Sequence, residues 1–266
     1  MIRRTLAVAL IVAVFLGCSQ PPPSRSNPQL LQDAERAMLQ ANYEKAAGHY
    51  ESFLAENPGD AQRAEIRLQI GKCRLGSGQP ELAVRAFDQA LLEQPPAHVR
   101  WEILFRRAVA YRMQGDSARA VEGFRAVAAA PSAERGRSIT NDELAYEHAV
   151  ALFRAGNFGG GQAELRRVSL TGPYGKMAAP RLGLTSYTVQ VGAFGREDDA
   201  RAEAGKLNGT IRQVTGAPTL YLVLVGSFAR YDDAQRELQR LQRQGFTDAF
   251  IPVSYTHLTL PTNREV

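Results

Sequence analysis

The sequence is poor in the residues and motifs that support catalysis or metal binding. Its four histidines show no metal-ligand spacing, and no nucleophile or phosphate-loop motif occurs in its 266 residues. Carboxylates such as Glu35, Glu65 and Glu102 fall on solvated helix faces, whereas a glycosidase needs its carboxylates in a cleft. The sequence therefore argues against an enzyme and predicts neither a metal site nor a cofactor.

The excess of positive over negative charge is also small. The net charge is +5, and removal of a segment that contains Arg3 and Arg4 would leave +3. No basic stripe or interleaved aromatic motif accompanies this excess, so the sequence predicts no nucleic-acid partner. A hydrophobic content of 44% with 22% charged residues is typical of a globular chain, and 266 residues favour more than one domain.

The N-terminus has an apolar run over residues 6–16, shorter than the roughly 20 residues of a membrane span. Two arginines precede the run and Gly17-Cys18 follows it. This order resembles a bacterial lipoprotein signal peptide over residues 1–17, which implies that Cys18 is lipidated and anchors the chain in a membrane. Ser19 resembles a signal for outer-membrane sorting, with the protein facing the periplasm. Plain secretion with a coincidental cysteine is the alternative.

The second cysteine has no partner if the first is lipidated. Cys73 then cannot form an intrachain disulfide, and its position on an apolar helical face predicts a core residue. Residues 18–28, between the lipid and the first helical pattern, are rich in proline and serine and are expected to form a stiff polar tether.

Residues 29–171 show a repeating helical pattern. Ala46, Ala83 and Ala120 are spaced by 37 residues, with aromatic residues between them and a proline after each unit. The pattern resembles tetratricopeptide (TPR) repeats, of which the third copy, residues 101–131, matches best and the end copies are degraded. The resemblance implies stacked helix pairs that form an α-helical solenoid and bind a protein partner.

Projection of the first helix of each repeat places apolar side chains on one concave face. We expect this groove to bind an amphipathic helix or extended peptide of a periplasmic or envelope protein. Packing between neighbouring repeats explains any single one of these side chains equally well. The expected groove residues are Met38, Leu39, Leu68, Leu75, Phe105, Val109, Met113, Tyr146, Val150 and Phe153.

Two near-copies lie toward the C-terminus. YTVQVGAF begins at Tyr187, YLVLVGSF begins at Tyr221, and an amphipathic helical stretch follows each. Alternating valines predict half-buried strands, which Gly192 and Gly226 are expected to end. With further strands at TIRQV and DAFIPV, the sequence predicts a four-stranded antiparallel sheet with two helices on one face and the other face open.

The duplicated pattern, with its first copy reading Tyr-x-Val-Gln-x-Gly-x-Phe, resembles the SPOR domain over residues 187–253. The resemblance implies a ferredoxin-like fold that binds peptidoglycan, with a preference for glycan strands stripped of their stem peptides. The family's glycan-binding glutamine corresponds to Gln190. The family often has serine where this chain has Ala193, and Ser227 occupies the equivalent place in the second copy.

Strand parity independently places polar and apolar side chains on the open face. Exposed leucines are costly unless something covers them, and sugar rings offer C–H faces to leucines and hydroxyls to an amide. An ordinary solvated role for Gln190 is the alternative. The expected glycan-binding residues are Thr188, Gln190, Leu222, Leu224 and Ser227.

Two remaining stretches complete the organisation. Residues 172–186 are rich in glycine and proline and are expected to be a linker that separates the domains. Residues 254–266, SYTHLTLPTNREV, resemble the translation of a sequencing-library adaptor, and we treat them as a non-native tail.

The sequence thus predicts two domains, an α-helical TPR solenoid followed by a ferredoxin-like α/β domain. Its expected function is that of a non-catalytic outer-membrane lipoprotein, enriched at the septum, that binds denuded glycan strands and recruits partners in cell division or wall remodelling. The alternative is an assembly or secretion lipoprotein for which the C-terminal domain is only a localisation module.

Overall fold

The computed structural model describes residues 28–252, which form helix pairs followed by a small sheet with two helices. The helices are α1 (Pro28–Leu39), α2 (Tyr43–Glu56), α3 (Arg63–Gly76), α4 (Pro80–Leu92), α5 (Ala97–Met113), α6 (Ser117–Ala129), α7 (Ser132–Arg135), α8 (Asn141–Arg154), α9 (Phe158–Leu165), α10 (Pro173–Ala178), α11 (Glu197–Leu207) and α12 (Tyr231–Arg243). The strands are β1 (Tyr187–Phe194), β2 (Thr210–Val214) and β3 (Leu220–Phe228).

The helical region consists of four pairs, α1/α2, α3/α4, α5/α6 and α8/α9, each packed on the next. The alanines at the 37-residue spacing are fully buried at the helix contacts. Phe87 and Phe124 follow two of these alanines by four residues and fill the space between helices. The prediction of an α-helical TPR-like region is confirmed, because small and large side chains alternate where the helices meet.

The turn inside each pair requires a left-handed backbone. Gly78, Gly115 and Gly156 end the first helix of three pairs with φ of +70°, +85° and +84°. In the first pair Ala41 adopts φ +55° at the corresponding turn. A side chain at positive φ is strained. The first repeat, which has alanine where the other pairs have glycine, therefore has a less favourable turn.

The C-terminal domain has an antiparallel sheet in the order β1-β3-β2. Val189 and Val225 pack with Leu241 of α12, and Val223 packs with Ala204 of α11. Both helices therefore cover the same face of the sheet, as predicted. We call the opposite face the sheet face.

The predicted fourth strand is reduced to one bridge. Phe250 and Gln190 exchange two backbone hydrogen bonds, with N···O distances of 2.9 and 3.0 Å. The next hydrogen-bonded position on that segment is two residues on, where Pro252 has no N–H to donate. The described chain consequently has three strands, and the prediction of four is wrong.

The two strand glycines do not end their strands. β1 and β3 continue two residues further, to Phe194 and Phe228. A Cβ atom on Gly192 would lie 2.8 Å from the ring of Phe194, and one on Gly226 would clash with the ring of Phe228. Each glycine thus lets the following phenylalanine ring fold back over its own strand.

Residues 172–186 are folded rather than extended. They contain α10 and a 3₁₀ turn at Ala179–Arg181. Gln162 of α9 donates to the carbonyl oxygens of Arg181 and Leu184 at 2.9 and 3.2 Å and accepts from the Gly183 N–H at 3.1 Å. Hydrogen bonds therefore hold the expected linker against the last helix pair.

The last helix pair and the C-terminal domain share an aromatic cluster. The ring of Phe158 lies 5.5 Å from that of Tyr187 on β1, which lies 5.3 Å from that of Tyr231 on α12. The guanidinium of Arg154 stacks 4.6 Å above the Tyr231 ring. These contacts make one continuous core across the two parts of the chain.

Replacement of Phe105 tests the packing between repeats. The side chain is fully buried and meets the Phe124 ring edge-on at 5.6 Å, so Phe105→Ala is expected to lower the free energy of unfolding by about 3–5 kcal/mol. Met113→Ala, at a 39% exposed position on the same helix, is expected to change it by about 0.5 kcal/mol or less. Urea denaturation followed by circular dichroism measures both, and similar losses would contradict the assignment.

Replacement of Tyr231 tests the shared cluster. Tyr231→Ala removes one edge-on ring pair and one cation–π contact, worth about 1–2 kcal/mol together. We expect a larger radius of gyration in X-ray scattering and faster trypsin cleavage after Lys176 and Arg181. Tyr221→Ala, in the same domain but outside the cluster, is the control. Unchanged scattering and cleavage would show that the cluster does not hold the two parts together.

Candidate functional site

Strand register defines which side chains share the sheet face. Directly opposite residues on antiparallel strands point to the same side. Gln190 lies opposite Leu224, and Ala193 lies opposite Leu222. The register shifts within β1, between Gln190 and Gly192, which keeps Ala193 on this face although simple alternation from Gln190 would turn it away.

β2 adds two residues that sequence reasoning missed. Thr210 lies opposite Leu224, and Arg212 lies opposite Leu222. Both therefore belong to the sheet face, at its β2 edge. Only the pairing of β2 with β3 reveals them, because the segment that contains them carries no motif of its own.

The leucines of the sheet face are buried rather than exposed. Leu222 is 0% exposed and Leu224 is 5% exposed. The expectation that these two leucines are exposed is therefore wrong, and their burial agrees with the cost of leaving leucine side chains in water.

Gln190 is the central polar residue of the sheet face. Its backbone is fixed on both sides, by β3 and by the bridge to Phe250. Its side chain is only 1% exposed, and within the described residues no donor reaches its Oε1 atom. A buried carbonyl oxygen that is left without a donor costs about 1–3 kcal/mol.

The remaining predicted glycan-binding residues differ in their surroundings. Thr188 is buried, and its hydroxyl donates to the Val225 carbonyl at 3.1 Å. Ser227 is exposed in the irregular stretch of β3 opposite it. The fold thus brings Thr188 and Ser227 to one end of the sheet, beside the junction with the helical region.

The predicted partner groove loses several of its members to the core. Leu68, Phe105, Tyr146 and Phe153 are buried, and Leu68, Phe105 and Phe153 fill separate clusters between neighbouring helix pairs. The expectation that Phe105 lines the groove is therefore wrong, because its side chain fills the core between helix pairs. The other predicted residues, Met38, Leu39, Leu75, Val109, Met113 and Val150, keep part of their surface accessible.

Ion pairs, which the sequence reasoning missed, connect the first helices of successive pairs. Lys72 of α3 lies 3.5 Å from Glu102 of α5, and Arg106 of α5 lies 2.8 Å from Glu143 of α8. We call the surface formed by α1, α3, α5 and α8 the first-helix face. These pairs fix neighbouring helices relative to each other and make this face polar as well as apolar.

A further ion pair of the first-helix face joins α5 to α8. Glu147 lies 2.7 Å from Arg112, and both are largely withdrawn from solvent. Burial raises the pKa of Glu147 above its usual value, and the attraction of Arg112 opposes this rise. The pair is therefore sensitive to any further charge placed beside it.

Residues 28–252 contain no cluster of three or more potential metal ligands. His148 is buried 3.3 Å from Glu164, and burial lowers its pKa. Cys73 is buried, and burial raises the pKa of its thiol to about 11. Among these residues, no helix combines the length and apolar character that a bilayer crossing requires.

Two predictions fall on residues outside the described range. Lipidation was predicted at Cys18, and a non-native tail was predicted over residues 254–266. Both remain predictions from the sequence.

Comparison with known proteins finds a family match within each region. A SPOR domain model matches residues 183–252, and a tetratricopeptide repeat model matches residues 102–131, within the third predicted copy. Among solved structures, the chain is similar to a tetratricopeptide repeat protein from Parabacteroides merdae, with 13% identity, a TM-score of 0.46 and 58% of each chain covered. No curated protein matches the sequence.

These matches indicate the class of binding that is typical of each family. SPOR domains are associated with the cell envelope and indicate peptidoglycan binding, and tetratricopeptide repeats indicate protein–protein interaction. Both are non-catalytic binding modules. The chain carries a SPOR domain at residues 183–252, preceded by a helical region that contains a tetratricopeptide repeat.

Proposed function

We propose that this protein is a non-catalytic cell-envelope lipoprotein that binds peptidoglycan glycan strands through the sheet face and a protein partner through the first-helix face. Lipidation of Cys18 would anchor it in the outer membrane, facing the periplasm. Its role would lie in cell division or wall remodelling, where denuded glycan strands occur.

The observation that carries the glycan proposal is the buried side-chain carbonyl oxygen of Gln190, which no donor of the described residues reaches. Buried polar groups almost always have hydrogen-bond partners, and exceptions often mark functional positions. Gln190 Oε1 has no donor among the described residues, although the backbone of Gln190 is held at both edges of β1. A sugar hydroxyl is a donor of the right kind for this oxygen.

The leucines support the same face. A pyranose ring presents C–H groups, which pack against aliphatic side chains, and hydroxyl groups, which need polar partners. On the sheet face, Leu224 lies opposite Gln190 and Leu222 lies two residues along the same strand. Thr210 and Arg212 supply polar groups at the β2 edge. Because both leucines are buried in the full chain, glycan binding requires this face to become accessible.

The partner proposal rests on the accessible part of the first-helix face. Met38, Leu75, Val109, Met113 and Val150 remain partly accessible there, between the ion pairs that join successive helices. A face of this composition suits a peptide with both apolar and charged side chains. We assign no partner-binding role to Leu68, Phe105 or Phe153, because they are core residues.

Gln190→Leu separates binding from stability. The change removes a buried carbonyl without a donor, so we expect the free energy of unfolding to rise by about 1 kcal/mol. Co-sedimentation with amidase-treated sacculi is nevertheless expected to be lost. Gln213→Leu, at an exposed position on β2 opposite Tyr221 and so outside the sheet face, is the matched control.

The sacculus assay includes two further arms. Untreated sacculi are expected to bind less than amidase-treated ones, and the chain is assayed with and without residues 254–266, which the sequence assigns to a non-native origin. Unchanged sedimentation of Gln190→Leu in both forms would contradict a glycan contact by this residue.

Localisation distinguishes the proposed role from assembly or secretion. A fluorescent fusion of the full chain is expected to concentrate at midcell, and Gln190→Leu is expected to make the signal peripheral and even. A peripheral signal for the unchanged chain, together with a secretion defect on deletion, would favour the alternative role. Replacement of Cys18 by alanine in the same fusion is expected to release the protein from the membrane fraction.

A further inference from the structure

A pocket of about 260 Å³ lies where the C-terminal end of α5, the last helix pair, the segment before β1 and the SPOR domain meet. Each of these parts contributes to its wall, so none of them forms it alone. The residues that matter to its chemistry are Arg112, Tyr146, Glu147, Arg154, Arg181 and Tyr231.

Two of its arginines have no acidic partner. Within the described residues, no carboxylate lies within 4.0 Å of Arg154 or Arg181. Arg154 donates one N–H to the Arg112 carbonyl at 2.7 Å, and Arg181 donates one to the Met177 carbonyl at 2.7 Å. A guanidinium has five N–H donors, so each retains several. Their stacking on the rings of Tyr231 and Tyr146 holds both planes in place.

Among the described residues, one carboxylate lines the pocket. Glu147 lies 2.7 Å from Arg112 and balances that charge. The lining therefore carries three guanidinium groups against one carboxylate, in a partly enclosed place where charge interactions are stronger than in water. Guanidinium groups pair with carboxylates through two parallel hydrogen bonds, which makes such a lining selective for planar anions.

We propose that this pocket binds an acidic peptide segment of the partner protein, with a carboxylate on Arg154 and Arg181 and an aliphatic side chain against Val150 and Tyr146. The inference rests on the proposed partner-binding function. It specifies where the acidic end of the partner's peptide binds. The volume lies just below the range of about 300–1,000 Å³ for whole small-molecule ligands, so it suits one or two side chains of a longer chain.

The opposite end of the first-helix face has the opposite charge. A broader pocket of about 610 Å³ between α1 and α3 contains Glu35 and Glu65, and no cation of the described residues lies within 4.0 Å of either. The face is thus acidic at α1 and basic at the SPOR junction. An extended peptide with its acidic end toward the SPOR domain complements both ends, whereas a small anion complements only one.

The test uses the full chain and a defined probe. The probe is a fluorescein-labelled peptide, Ala-Ala-Leu-Ala-Leu-Asp with a free C-terminus, whose last residue carries two carboxylates. The control peptide ends in asparagine amide and carries none. Fluorescence anisotropy is expected to show binding of the probe that weakens at least about tenfold in the control, since hydrogen bonds to charged groups have that magnitude.

Variants assign the binding to the pocket. Arg181→Gln and Arg154→Gln are each expected to weaken probe binding about tenfold. Arg166→Gln, which removes the same charge from the exposed end of α9, is expected to leave it within about twofold. Glu147→Gln removes the competing carboxylate and is expected to tighten binding, an outcome that misfolding cannot produce.

The outcomes separate this inference from the proposed function. Equal binding of the two peptides, equal loss in Arg166→Gln and Arg181→Gln, or stronger displacement by inorganic phosphate than by free aspartate would overturn the pocket assignment. Sacculus binding is measured on the same preparations. Retained sacculus binding with no carboxylate-dependent peptide binding would refute the pocket alone, whereas lost sacculus binding with intact peptide binding would refute the glycan proposal alone.

Discussion

The contact between the last helix pair and the first strand of the SPOR domain determines the arrangement of the rest. Tyr187 begins β1 and is at the same time a member of the aromatic cluster that contains Phe158 and Tyr231. Gly156 permits this approach, since a Cβ atom there would lie 2.9 Å from the Ala229 carbonyl oxygen. The positive φ of Gly156 already favours glycine at this turn, as in the other helix pairs, and the absence of a Cβ also allows the close approach. The folded segment 172–186 shortens the connection between the two regions.

This junction has a consequence for function. Gln190 lies on the same strand as Tyr187, three residues along. The proposed glycan-binding residues of the sheet face therefore begin directly beside the contact between the two regions. The first-helix face ends at the same contact, where Arg154 stacks on Tyr231. A partner on that face would therefore be held at a fixed distance and angle from the bound glycan strand, unlike the case of two modules on a Gly/Ser-rich linker.

The fold was predictable where one local pattern decides it. Ala83 and Ala120 indicate helix contacts, because small side chains allow helices to approach closely. The third repeat was identified correctly for that reason. The valine face of the sheet was predictable from alternation. The fourth strand was not, because one residue, Pro252, limits the pairing to a single bridge. The groove was only partly predictable, because helical projection does not tell a side chain that faces the next repeat, such as Phe105, from one that faces outward.

The sequence by itself determined the two regions, their order, the helix-pair repeat and the side of the sheet on which the helices lie, because each follows from periodicity within about forty residues. It also singled out Gln190 through its motif. Only the tertiary structure decided that Leu222 and Leu224 are buried, that Thr210 and Arg212 join their face, and that the two regions share a core. Those properties depend on residues distant in the chain, and burial is a property of all the neighbours of a side chain at once.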